Sequence, residues 1–137
     1  MSDSASKPRP QFRNLNLLQI LSYRLPPAGK SSIFHRISGA LLFLCLPLVI
    51  LPIFALSVTS PTSFAAMQEW SANPVWRIVL LVLIWGYLHH FCAGIRLLTI
   101  DMHWCVALKP ARRTARVVFG VSLALTLVFG LKLFGVW

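Results

Sequence analysis

The 137-residue sequence predicts an all-α membrane protein with three transmembrane helices. Two observations carry this. Hydrophobic residues make up 57% of the chain and charged residues only 12%, where a soluble domain carries about a quarter charged residues. Apolar runs near the length that crosses a bilayer core, roughly 20 residues, recur three times with basic residues at their edges. The mean hydropathy is +0.73, and little length is left for a separate catalytic domain. A single membrane domain over residues 31–137 is expected, preceded by an N-terminal segment, residues 1–30.

The N-terminal segment opens with the polar, proline-bearing MSDSASKPRPQF. It lacks the apolar core of a signal peptide and the long Arg/Ser-rich amphipathic pattern of a transit peptide. NLNLLQILSYR follows, apolar but too short to span, and reads as a stretch lying at the membrane surface or against a partner. Pro26 and Pro27 are expected to stop any helix there. The first span is expected over about residues 33–56, with Pro47 and Pro52 kinking it. Residues 57–74 read as a loop holding Glu69 and no Lys or Arg. The second span is expected over about 75–100 and contains His89, His90 and Arg96. The basic connection DMHWCVALKPARRTAR leads to a third span over about 117–136, where Lys132 can snorkel and Trp137 suits an interfacial belt.

Basic residues set the expected orientation. Lys7, Arg9, Arg13, Arg24, Lys30 and Arg36 precede or enter the first span, and Lys109, Arg112, Arg113 and Arg116 lie in the second connection. Positive-inside then places the N-terminus and that connection in the cytoplasm, and the C-terminus in the periplasm of a bacterial inner membrane. The formal net charge of +10 therefore reflects topology and anionic lipid, with no polar segment of fold size to bind nucleic acid. Cys45, Cys92 and Cys105 form no CxxC pair and read as small hydrophobes.

Ionisable groups within spans default to a functional role. Gly86, His90 and Gly94 recur at four-residue spacing on one helical face. Glycines one turn either side of a histidine leave that face nearly bare, as a flat macrocycle would need for its iron to reach the imidazole. The alternative is a packing seam, in which small residues bring helices close and His90 bonds to a neighbour. His89 lies on another face, in a stripe with Arg96 and His103, and reads as a packing residue. Ser32, His35, Arg36 and Gly39 share a face at the entrance of the first span. Such a set can bind a carboxylate or a quinone carbonyl, or can merely anchor helix depth. Counting from the span ends puts His90 about 12 Å deeper than His35 at about 1.5 Å per residue. The two are then not expected to share one iron, and a second axial histidine would come from another chain.

SIFHRISG at residues 32–39 and HFCAGIR at 90–96 followed by Asp101 are similar to two motifs of the succinate dehydrogenase cytochrome b subunit, the large membrane anchor of respiratory Complex II. RP followed by NLNLL adds to the likeness, and the three-span layout extends it over nearly the whole chain. The resemblance implies half of a two-subunit helical bundle that binds haem b and passes electrons from succinate to ubiquinone. It implies His90 as haem axial ligand, Gly86 and Gly94 facing the haem, His35 and Arg36 near the propionates, and Ser32 and Arg36 at the ubiquinone. It further implies a second three-helix anchor subunit supplying the other axial histidine, an iron–sulfur subunit and a flavoprotein subunit. Asp101 is a candidate proton donor or counter-charge for Arg36. Leu97 stands where many members carry a second histidine, so a role of that histidine does not carry over. A quinol:fumarate reductase anchor and a haem-free structural anchor are the competing readings.

Overall fold

The computed structural model describes residues 24–136, all of whose regular structure is helical. The expected surface stretch at NLNLLQILSYR (apart from its last residue, Arg24), Lys7, Arg9, Arg13 and Trp137 lie outside the described residues.

The first span begins earlier than expected, because the Pro26-Pro27 pair starts a helix where it was expected to stop one. Helix α1 covers Pro27–Cys45 with Pro27 in its first turn. A proline there loses no hydrogen bond, since the first amides of a helix are unpaired anyway, and its fixed φ suits the helix. A π-turn over Leu46–Ile50 follows, closed by the Leu51 amide bonding to the Leu46 carbonyl. Helix α2 then covers Leu51–Thr59. The expected proline kink thus takes the form of one widened turn. Pro52 has no amide to donate, and its ring would crowd the carbonyl four residues back. The whole segment Pro27–Thr59 is 33 residues long, about 50 Å at about 1.5 Å per residue. That exceeds the roughly 30 Å hydrocarbon core, so it tilts or projects beyond it.

Residues 57–74, expected as a loop, instead contain helix α3, Pro61–Ala72. Ser60 and Ser63 form a reciprocal capping box at its start, with the Ser63 amide donating to Ser60 Oγ at 3.1 Å. The serine–proline–x–serine spacing carried this signal. Trp70 near its end lies against Trp76, ring centroids 3.8 Å apart. Helix α4 covers Pro74–Asp101, capped by Asn73, whose side chain accepts from the Val75 amide at 2.9 Å. Helix α5 covers Leu108–Leu133, beginning nine residues before the expected Val117. The basic run ARRTAR is therefore the first turns of the third helix and not a loop.

Helices α1, α4 and α5 pack against one another, whereas α2 packs on α3 and makes no close backbone approach to α4 or α5. The π-turn so separates the first span from the bundle in its second half. An apolar cavity of about 550 Å³ fills the wedge, lined by Leu42, Val49, Ile53, Leu83, Tyr87 and Phe129 among others. Buried positions concentrate toward the basic end but reach Gly130, packed on Leu81 near the far end of the bundle. The buried residues are mixed: Leu83, Leu88, Ala93, Ala115 and Val118 beside Ser31, Ser38, His89, Arg96 and Ser122. A membrane offers no hydrophobic drive between helices, so close-packing small residues and interhelical polar contacts hold them together. The outer surface is lined by large exposed hydrophobics such as Phe43, Leu48, Phe54 and Leu127.

Candidate functional site

At the basic end, α1 and α4 run antiparallel and carry the same pattern, a histidine followed four residues later by glycine. His35 precedes Gly39 on α1, and His90 precedes Gly94 on α4. Each histidine rests on the other helix's glycine. A methyl group at Gly39 would lie 2.8 Å from His90 Cε1, and one at Gly94 would lie 3.6 Å from His35 Nε2. The two imidazoles stack with centroids 4.1 Å apart and planes inclined by 7°.

This corrects the expected depth. His35 and His90 meet at one level, because the first helix starts at Pro27 and His35 is already two turns inside it. Gly86 is buried with Leu41 of α1 nearest, and Gly94 faces His35. In the single chain both glycines serve the seam between α1 and α4.

The hydrogen bonds at His90 fix its tautomer. Nδ1 lies 3.0 Å from the His35 carbonyl oxygen and 3.4 Å from Ser38 Oγ. A carbonyl can only accept, so Nδ1 carries the proton and donates. Nε2 is then the basic nitrogen with a free lone pair. It has no hydrogen-bond partner among the described residues and is not sealed from the surface. An imidazole held at one nitrogen by a backbone carbonyl, with the other nitrogen basic and accessible, is the arrangement of a metal-ligating histidine.

Ser32 and Arg36 lie on a neighbouring face of α1. Ser32 is half-buried and Arg36 exposed, and neither makes a hydrogen bond or ion pair among the described residues. Asp101 ends α4, exposed, and forms no ion pair with Arg36.

His89 has no hydrogen-bond partner at either ring nitrogen among the described residues. It is fully buried, edge-on to Phe34 and stacked beside Trp85, with Phe119 of α5 against it. The stripe expected to link it to Arg96 and His103 breaks up. His103 lies beyond α4, exposed, with a left-handed φ of 62°. Arg96 is 7% exposed and reaches α5, donating from Nε to Thr114 Oγ1 at 3.1 Å and from a terminal nitrogen to the Ala111 carbonyl at 3.2 Å. The sequence does not mark this clamp, because its acceptors lie in ARRTAR, which reads as a connection and is the start of α5. Ser38 was missed as well. Its signal was the serine directly before Gly39, one helical turn from His35.

Fold and site define a membrane protein of three long apolar helices with a histidine pair between the first two. The chain belongs to the succinate dehydrogenase/fumarate reductase transmembrane subunit family, whose model matches residues 6–129. It is 31% identical over 121 residues to the succinate dehydrogenase cytochrome b556 subunit of Coxiella burnetii (strain RSA 493 / Nine Mile phase I), covering 88% of this chain and 92% of the relative. It is 29% identical over 106 residues to the succinate dehydrogenase cytochrome b556 subunit of Paracoccus denitrificans, covering 77% of this chain and 81% of the relative.

Proposed function

We propose that this chain is the cytochrome b subunit and membrane anchor of a succinate:quinone oxidoreductase in a bacterial inner membrane. Its N-terminus would face the cytoplasm and its C-terminus the periplasm. The observation that carries the reading is the state of His90. Its Nδ1 donates to the His35 carbonyl at 3.0 Å, which makes Nε2 the basic and accessible nitrogen of the neutral ring. The residues present therefore fit haem b with His90 as axial ligand. Bound there, haem b supplies one-electron storage at a potential set by its ligands and burial.

The stacking of His35 on His90 supports a second ligand from outside the chain. Stacked parallel imidazoles cannot approach one iron from opposite sides, which excludes the His35 ring as the partner in this arrangement. The other axial histidine is assigned to a second three-helix anchor subunit lying against the accessible edge of His90. A flavoprotein subunit would oxidise succinate, and an iron–sulfur subunit would carry the electrons to the membrane surface.

Quinone reduction takes up two electrons and two protons per molecule, and negative charge builds on the carbonyl oxygens before protons arrive. The hydroxyl of Ser32 can donate to one carbonyl oxygen, and the guanidinium of Arg36 can stabilise that charge without surrendering a proton. Among the described residues neither group has a hydrogen-bond or ion-pair partner. Arg36 also stands one residue from His35, where carboxylates such as haem propionates would find a bidentate partner. Asp101, exposed at the end of α4, would serve as proton donor or as counter-charge for Arg36.

The test is a dithionite-reduced minus oxidised spectrum of the detergent-purified complex. The wild type is expected to give a b-type signal, and His90→Ala to lose it or retain only a small fraction. A His90→Ala complex with the wild-type spectrum would place the ligand elsewhere and leave a haem-free role for this chain.

A further inference from the structure

We propose that Ser38 is the positioning residue of the His90 imidazole, and that its hydroxyl weakens the pull of the His35 carbonyl on the His90 N–H. This rests on the reading of His90 as a haem ligand. Ser38 is 3% exposed, inside the contact between α1 and α4. Its Oγ donates to the His35 carbonyl at 3.0 Å, the back-bond that a serine makes within a helix. With its proton spent there, Oγ faces His90 Nδ1 at 3.4 Å with lone pairs only. The three groups close a triangle: one carbonyl oxygen takes two donors, and one N–H is shared by two acceptors. Gly39 bounds the ring at Cε1, so the imidazole is held both along its N–H and at its edge.

The electronic consequence has a sign. The more strongly an acceptor draws on the N–H of a ligating imidazole, the more basic the opposite nitrogen and the more the oxidised iron is favoured. Ser38 acts on this in two opposed ways. Its donation to the His35 carbonyl takes electron density from the stronger acceptor, at 3.0 Å, while its own oxygen adds a weaker acceptor at 3.4 Å. A contact of 3.4 Å is at the edge of hydrogen-bonding distance, so the effect through the carbonyl wins. Without the hydroxyl, the carbonyl pulls harder on His90 and the haem becomes harder to reduce.

The experiment is a potentiometric titration of the haem in the assembled complex, comparing wild type, Ser38→Ala, Ser38→Thr and His90→Ala. Ser38→Ala is expected to shift the ferric-to-ferrous balance toward ferric by about threefold to tenfold. At about 59 mV per factor of ten for a one-electron couple, that is a fall of roughly 30–60 mV. Ser38→Thr keeps the hydroxyl and is expected to return the potential toward wild type, which a role in packing alone would not produce. An unchanged or raised potential in Ser38→Ala, or a threonine variant that behaves as alanine does, overturns the proposal. Complete haem loss in both serine variants assigns Ser38 to packing and also overturns it. If His90→Ala retains the wild-type haem, the reading of His90 fails and this inference falls with it. If His90→Ala loses haem while Ser38→Ala titrates as wild type, only the role of Ser38 fails.

Discussion

Replacing Gly39 with alanine tests how tightly the site is built. The added methyl carbon would lie 2.8 Å from His90 Cε1 and 3.2 Å from Nδ1. Ordinary van der Waals contact begins near 3.4 Å, so the ring must retreat by about 0.6 Å. His90 sits between two α1 features, its Nδ1 on the His35 carbonyl at 3.0 Å and its face on the His35 ring. Retreat from Gly39 therefore strains the hydrogen bond that sets the tautomer. Overpacking of this kind costs about 1–3 kcal/mol, and loss of the hydrogen bond about 0.5–1.5 kcal/mol more. If half of the combined cost falls on the haem-bound state, affinity drops by roughly tenfold, at about 1.4 kcal/mol per factor of ten. The assay is transfer of haem from the purified complex to excess apomyoglobin, followed by absorbance, beside the haem-to-protein ratio. Gly120→Ala is the matched control, since nothing lies within 4 Å of a methyl group there. Wild-type haem content and transfer rate in Gly39→Ala would refute the close seating of His90 on α1. Equal loss in Gly120→Ala would assign the effect to helix backbone and not to the site.

Ser32→Ala and Arg36→Leu are each expected to lower quinone reductase activity tenfold or more while sparing succinate oxidation by a soluble dye, at roughly 1.4 kcal/mol per factor of ten; equal loss of both activities would indicate failed assembly. Arg96→Leu removes donations to Thr114 and to the Ala111 carbonyl across the α4–α5 contact. Hydrogen bonds to charged groups contribute about 1.5–3 kcal/mol each, so a lower melting temperature in detergent is expected, and an unchanged one would mean the clamp does not hold the helices. In a cysteine-free background, Glu69→Cys is expected to react with a membrane-impermeant maleimide added from the periplasm and Arg112→Cys is not, both positions being exposed; the reverse pattern would invert the topology.

The sequence by itself determined the membrane class and the number of spans. These follow from local quantities, the length and apolarity of each run, which the bilayer reads almost residue by residue. It also marked His35, Arg36 and His90, because ionisable groups at membrane depth are costly wherever the helices pack. Helix ends were less legible. Pro27 starts a helix that the proline pair was expected to stop, Ser60 and Ser63 cap a helix where a loop was expected, and ARRTAR joins α5. Each outcome depends on which way the chain continues from a residue that suits both a stop and a start.

Only the tertiary structure decided what meets what. Counting from assumed span ends separated His35 from His90 by about two turns, whereas packing brings their rings to 4.1 Å. One misplaced end accounts for most of this, since α1 starts at Pro27 and not near residue 33, and every residue of misplacement shifts a rigid helix by about 1.5 Å along its axis. The tautomer of His90 likewise came from a carbonyl 55 positions away in the chain. Backbone carbonyls are common to every residue, so no sequence pattern marks the one that an imidazole will find. The same holds for Arg96, whose charge was legible but whose acceptors, Thr114 and the Ala111 carbonyl, were chosen by the crossing of α4 and α5.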